Sequence, residues 1–489
     1  MGKRRSHRFK TTTGCRQLAL ILVVVMGSLY SVTTSSQENP PIGYVGAEVS
    51  IGQLAEDTFL GLSLQVAFEA NVKKIGCHGW LEAKALDDEE TCQSRLRLGG
   101  EIPLRFKLVD ESPESEGVLR EEDWDEAAEF MRVLRLVEYG TREDPLYGRA
   151  GELSDVVLGH GSIMNHYFNT IDVDHFSLGV NSQLNGDYAG VELLIDSVTS
   201  PSVVGGRLHT RPVAMLSKGG MRSWWSRYTL GVTLLLDIDA PLTFERVDAT
   251  EDLSQPYRVT TERRLVPYES QVTGVLGFDH ELRLVETESI DFVPYVDINT
   301  HLDGGSGLHL GTMMEVRLTA EAILIPKLEL RWQGPQYLPE YFGSLYEVER
   351  QAFFGWRGAG DPKLKVMKDQ ASGAIMGGAG ELTLRMKWLE LTLGYSDYEN
   401  SGNSSVLARL KVEQKGSARL GIYYQRLGFD GLDDLFEFNN SLLVTEVRYP
   451  IGEWLYLLGQ HSRLWRLQER GEYAIVNDWQ LGAGSVMSF

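Results

Sequence analysis

The sequence predicts an all-β protein, a transmembrane antiparallel β-barrel of about 16 to 18 strands, with long loops on one side and room for a short acidic helix. Three observations predict it. Apolar and polar residues alternate with period two along most of the chain. After Ser36, no apolar run approaches the roughly 20 residues that a membrane-spanning helix needs. The final segment, Trp479 to Phe489, reads as a strand and ends on an aromatic residue.

The chain opens with Lys3, Arg4, Arg5, Arg8, Lys10 and Arg16, then an apolar run from Leu18 to Tyr30, then the small polar stretch Ser31 to Ser36. That order reads as a secretory signal peptide. A retained anchor is the weaker reading, because the apolar core is short and Ser and Thr follow it. The chain therefore divides into a signal peptide, residues 1–36, and a barrel, residues 37–489. Cys15 precedes the apolar core and is not placed to become a lipidated N-terminus.

Removing the six basic residues of that segment leaves 41 of the 47, against 68 acidic residues, a net charge of −27. Such a surface repels nucleic acid. The two remaining cysteines, Cys77 and Cys92, form an even pair at short separation in an oxidising compartment and read as one disulfide. In the chain-entropy model, closing a loop of about 15 residues contributes roughly 3 kcal/mol. A metal site at Cys77, His78 and Cys92 is the rival, and it lacks a fourth ligand nearby.

If the mature chain crosses a bilayer, it must do so as strands. Strands cross hydrocarbon only as a closed barrel, because every backbone N–H and C=O there needs an internal partner. The alternation supplies those strands. From Arg95 to Leu108, Leu96, Leu98, Ile102, Leu104, Phe106 and Leu108 share one face, and Arg95, Arg97, Glu101, Arg105 and Lys107 share the other. Tyr228 to Asp239 sets Leu230, Val232, Leu234, Leu236 and Ile238 against Thr229, Thr233, Asp237 and Asp239. From Leu308 to Leu318, His309, Glu315 and Arg317 oppose an apolar face containing Leu310 and Met314. Val406 to Glu413 sets Arg409, Lys411 and Glu413 against Val406, Ala408, Leu410 and Val412, and in the next strand Arg419 opposes Leu420 and Ile422.

A soluble sandwich also alternates. These segments, however, run to about 9 to 14 residues, the length a tilted strand needs to cross hydrocarbon. Tight connections at Lys387-Trp388-Leu389 and Lys415-Gly416-Ser417 alternate with long polar loops, which is the barrel habit. Whether Tyr44 to Gln53 forms an additional first strand stays open at this stage. Aromatics near strand ends, such as Trp224 with Trp225, Trp332 with Tyr337, Tyr341 with Phe342 and Trp454 with Tyr456, suit interfacial girdles.

Three stretches could carry chemistry. Asp110 to Glu129 holds ten acidic residues and one base, Arg120. It reads as a solvated loop, with a short helix over Arg120 to Arg132, or as a funnel for cations. The passage Leu146 to Pro212 brings His160, His166 and His175 close together with Asp172 and Asp174. A metal site there competes with inward-facing polar packing, the preferred reading. A hydrolase centred on Ser162 competes too, but Gly159-His160-Gly161-Ser162-Ile163 is not a nucleophile elbow. The residues supply no catalytic set, no metal site and no cofactor site, and the sequence points away from an enzyme.

The closing segment resembles the last strand of Gram-negative outer-membrane proteins, whose terminal aromatic, here Phe489, is read by the barrel-assembly machinery. A second resemblance lies in Arg120-Glu121-Glu122-Asp123-Trp124-Asp125-Glu126, Tyr147-Gly148-Arg149-Ala150-Gly151-Glu152-Leu153, Leu158-Gly159-His160-Gly161 and Val204-Gly205-Gly206-Arg207. These look like a family of large outer-membrane barrels of unassigned function, of myxobacterial type. That likeness covers Leu104 to Pro212, and it implies location and fold without lending catalytic residues.

Location in the outer membrane, contact with its lipid, and porin-like passage of small solutes are then the expected properties. Arg95, Arg97, Glu101, Arg105, Lys107, His309, Glu315, Arg317, Arg409, Lys411, Glu413 and Arg419 are the expected lining of the lumen. A plugged barrel with a structural or surface-binding role is the alternative.

Overall fold

In the computed structural model, period-two patterning becomes a single closed sheet. The structure describes residues 42–54, 57–75, 93–109, 118–120, 123–124, 130–170, 176–216, 224–247, 257–260, 264–354, 360–370, 373–399, 403–414, 417–429, 441–468 and 472–488. The basic N-terminal segment, Cys77, Cys92, His175, Lys415-Gly416 and Phe489 lie outside these residues.

The first half of the wall comprises β1 (Ile42–Leu54), β2 (Asp57–Lys73), β3 (Gln93–Val109), β4 (Leu136–Tyr139), β5 (Leu146–Gly151), β6 (Gly179–Asn185), β7 (Ala189–Ile195), β8 (Val203–Thr210), β9 (Tyr228–Phe244) and β10 (Pro267–Leu282). A two-residue piece, β11 (Val285–Glu286), continues β10 along the same neighbour. The second half comprises β12 (Ile290–His301), β13 (Ser306–Thr319), β14 (Ala322–Gln333), β15 (Ile375–Met386), β16 (Leu389–Tyr398), β17 (Ser404–Glu413), β18 (Arg419–Phe429), β19 (Ser441–Pro450), β20 (Leu455–Leu467) and β21 (Tyr473–Ser488).

With β10 and β11 both paired to β12, each of the remaining strands pairs antiparallel with its chain neighbours, and β21 returns to β1 in a register running from Tyr44 opposite Ser488 to Gln53 opposite Trp479. That closure removes the sheet edge. It also settles the status of Tyr44 to Gln53, which forms the first stave of the wall.

With β10 and β11 counted as one stave, the 21 strands make 20, more than the expected 16 to 18. The difference lies in β4 to β7, which are 4, 6, 7 and 7 residues long. Strands that short show too few periods for alternation to stand out.

The two faces of the wall differ as the pattern requires. In β9, Thr229, Thr233, Leu235 and Asp237 are buried, whereas Val232, Leu234 and Ile238 are about 40% exposed. Leu310, Leu328, Leu330, Leu393 and Leu481 repeat the exposed apolar set on other strands. A continuous exposed apolar band on a closed barrel matches a lipid-facing surface.

Most of the shortest links share one end, which also carries the longer connections 74–92 and 211–227. Short links of two or three residues join β6 to β7, β11 to β12, β13 to β14 and β15 to β16, at the end that also carries Ile42 and Ser488. Residues 110–135, 152–178, 245–266 and 334–374 connect strands at the opposite end. From the first of these, Val118 to Arg120 pairs back on β3, with the Lys107 and Arg120 N–H groups donating to Val118 and Arg105 carbonyls at 2.8 Å. Most of the expected acidic helix over Arg120 to Arg132 lies outside the described residues; within them Phe130 is helical and the 3-10 turn Met131–Val133 follows it.

Candidate functional site: two connections folded into the lumen

Residues 152–178 and 334–374 are too apolar to stay in water. Leu153, Val156, Leu158, Ile163, Met164 and Tyr167 of the first, and Leu338, Tyr341, Phe342, Tyr346 and Phe353 of the second, form one buried cluster with Leu194, Val203, Leu235 and Val275 of the wall. The two connections also pair as backbone. Phe342 N–H donates to the Ile163 carbonyl at 3.0 Å, and Glu340 N–H donates to that of Ser162 at 2.9 Å.

Their hydrogen bonds to the wall show where they lie. From the first connection, His160 reaches β12 and β10, and His166 reaches β15. From the second, Tyr346 reaches β9, Ser344 reaches β18 and Gln351 reaches β21. Segments that touch staves around so much of the circumference must lie inside it. This corrects one expectation: Tyr337, Tyr341 and Phe342 are at most 1% exposed and belong to the packed interior instead of an interfacial girdle. Trp224, Trp225 and Trp454, by contrast, are about half exposed near the end with short links.

Local geometry explains how the histidines are aimed. Gly159 and Gly161 adopt φ of 56° and 82°, a region that favours glycine. A Cβ on Gly161 would stand 2.7 Å from Asn165 Oδ1, so the turn also needs the missing side chain. Between them, His160 stacks on Tyr295 at 4.0 Å and places Nδ1 at 2.8 Å from Asp297 and Nε2 at 3.0 Å from Glu281. His166 repeats the arrangement, with Nδ1 at 2.5 Å from Asp155 and Nε2 at 2.7 Å from Glu381.

Burial works against a charged ring in both cases, but the two flanking carboxylates outweigh it and raise each histidine to about 9. Burial likewise opposes ionisation of Asp155, and the His166 and Arg409 partners override it to bring that carboxyl down to about 2. Burial dominates at Glu347, raised to about 7 in spite of Arg350. Both nitrogens of each ring are taken up by carboxylates, which ties the first connection to the wall at two points.

The wall is fastened by further buried charges. Arg207 Nε and Nη2 donate to Asp279 at 3.0 and 2.6 Å, and Arg350 donates to Asp237 at 3.1 Å. Arg331, 2% exposed, donates to Glu329 and Glu340 at 2.6 Å each and to the Tyr398 hydroxyl at 2.7 Å. Asp237 stood on a polar face in the sequence, but Asp279, Glu329, Arg331, Glu340 and Arg350 were missed, although Lys327, Glu329 and Arg331 alternate with Leu328, Leu330 and Trp332 in a legible period of two.

The twelve charged positions singled out from the sequence fall into two groups. Several meet residues of the long connections: Glu101 pairs with Arg135, Arg105 with Asp123 at 2.6 Å, His309 with the Tyr337 hydroxyl at 2.8 Å, and Arg409 with Asp155. The others pair chiefly along the wall. Arg95 stands 3.2 Å from Glu69, and Arg97 contacts Glu138. Lys107 lies 3.8 Å from Asp57, Glu315 3.2 Å from Arg317, and Glu413 3.5 and 3.4 Å from Lys411 and Arg419.

Beside the two connections a cleft remains against β14 to β18. Its cavity volume is about 120 Å³.

The chain matches no family model and no curated protein sequence. Among solved structures it is similar to OccK11 (OpdR) of Pseudomonas aeruginosa, with 11% identity over 92% of this chain and 96% of that one, at a TM-score of 0.32. It is also similar to the outer membrane protein OprD of the same species, with 9% identity over 92% and 94% at 0.32. A third is OccAB3 of Acinetobacter baumannii, with 8% identity over 92% and 99% at 0.31.

Proposed function

We propose that this protein is exported and inserts in the outer membrane of a Gram-negative cell, where it passes small solutes through a lumen narrowed to the cleft beside β14 to β18. The carrying observation is the pairing of an apolar exterior with an ion-paired interior that the inward connections do not fill on one side. An exterior of that kind favours lipid, since a basic residue at mid-bilayer costs about 2 to 4 kcal/mol.

The three-part N-terminal segment supports export, and the aromatic Phe489 supports recognition by barrel-assembly machinery. Cys77 and Cys92 pair as a disulfide in this reading, and the charged positions of β3, β13, β17 and β18 face the lumen. The chain acts as a conduit, not as an enzyme.

A second reading is a closed barrel whose long connections serve a surface partner. The buried cluster joining the two connections favours it, because apolar contacts of that kind hold a plug in place. Conductance of the purified, detergent-folded chain in a planar bilayer separates the two. Stable open steps support passage, and an inserted but silent protein supports the closed barrel.

A further inference from the structure

The ionic lining of the cleft balances. Lys327, Arg331, Lys363 and His166 face it together with Glu329, Glu340, Glu349 and Glu381, four basic side chains against four carboxylates. The balance is also local. Lys363 donates to Glu349 at 2.5 Å and Arg331 to Glu329 and Glu340 at 2.6 Å, while His166 stands 2.7 Å from Glu381 and Lys327 3.3 Å from Glu329. An ion entering this space meets charges that already have partners. It would give up hydration without a compensating contact.

Uncharged groups offer more. Ser396 and Ser405 hydroxyls lie 2.8 Å apart, and each keeps hydrogen-bonding capacity beyond that contact. Gln425 Oε1 accepts from Ser344 at 2.5 Å and from Tyr423 at 2.8 Å, so the amide N–H groups of Gln425 are its donors for a ligand. Between these stand apolar surfaces from Leu345, Phe353, Leu407 and Leu427. Hydroxyl and amide groups with free hydrogen-bonding capacity, set beside apolar patches and among charges that are already paired, suit a solute with hydroxyls at its edge and C–H groups on its faces.

We propose that the cleft takes neutral, hydroxyl-rich small solutes of the sugar or polyol class and discriminates against ions of either sign. This deepens, and rests on, the reading of the barrel as a solute path. It runs against the cation preference that the acidic composition alone would suggest.

The test uses the purified full chain in liposomes and planar bilayers. Swelling rates are compared for arabinose and sorbitol against sodium gluconate and lysine hydrochloride, and the zero-current potential is read under a KCl gradient. Swelling several-fold faster on the neutral solutes, with a potential near zero, is expected. Gln425→Ala should slow arabinose swelling several-fold, and Glu340→Gln, which removes one negative charge, should move the potential toward anion preference. A conducting pore with marked cation or anion selectivity and no advantage for neutral solutes overturns the proposal while leaving passage intact. If the inserted protein neither swells nor conducts, passage fails, and calorimetric titration of the folded protein with arabinose decides the cleft. Saturable binding that Gln425→Ala weakens keeps it as a sugar site, and no binding overturns it.

Discussion

The two sides of the lumen differ in how the wall meets the inward connections. On the β8 to β12 side, large polar groups of the connections reach the wall: His160 bridges Asp297 and Glu281, Tyr346 donates to Asp237 at 2.7 Å, and Arg350 donates to the same carboxylate at 3.1 Å. On the β15 to β17 side Glu381 and Arg409 also grip the first connection, but Ala379, Gly394, Ser396 and Ser405 near them are small, and the cleft lies there. The contrast teaches that a wide barrel is not emptied or filled by strand number alone. Side-chain size on each stave decides where an inward segment seats and where space remains.

The largest effect should come from breaking the fastened side. Asp297→Ala leaves the buried His160 with half its partners, and removing one member of a buried pair costs about 3 to 5 kcal/mol. The first connection should detach while the wall survives. Limited proteolysis within residues 152–178 and larger conductance steps would show it, and unchanged protection would mean that His160 is not the fastening.

The exterior gives the next effect. Leu310, 47% exposed on β13, lies on the apolar face, and Leu310→Arg should cost about 2 to 4 kcal/mol at mid-bilayer and reduce the folded fraction recovered from lipid vesicles. Equal folding of this variant and the parent would mean that the two faces are assigned the wrong way round.

Alkaline pH should act on the fastened side more mildly. The raised values of His160 and His166 mean that their contribution is complete below about 6.5 and is lost as pH rises through about 9. Glu347, raised to about 7, adds in the same direction, since its ionisation opposes burial. Protease sensitivity of residues 152–178 should therefore rise between pH 7 and pH 10. A flat profile would show that the histidines do not titrate against their carboxylates.

The smallest effect belongs to the wall pairs that touch no inward segment. Glu315→Ala removes a partly exposed pair with Arg317 at 3.2 Å and should change stability by less than about 1 kcal/mol. Thermal unfolding close to the parent's is the expected result.

Much of the wall was legible because strands impose a period of two that a single residue type cannot hide. β3, β9, β13 and β17 each show it in charged against aliphatic residues. β4 to β7 escaped because four to seven residues carry too few repeats. The site was less legible. His160 and His166 stood out as a cluster, but nothing local says that each bridges two carboxylates, since Asp297 and Glu381 lie 137 and 215 residues away from their partners. Tyr337, Tyr341 and Phe342 looked like any aromatics near a strand end.

The sequence by itself determined that the chain forms amphipathic strands, that they have one apolar and one polar face, and that a closed barrel is the structure able to satisfy their backbones in lipid. Only the tertiary structure decided that two long connections turn inward, which staves they grip, and that a cleft lies beside β14 to β18. The physical reason is range. Periodicity is set by neighbours a few residues apart, whereas the filling of a lumen depends on which side chains from distant staves arrive at the same place with matching size and charge.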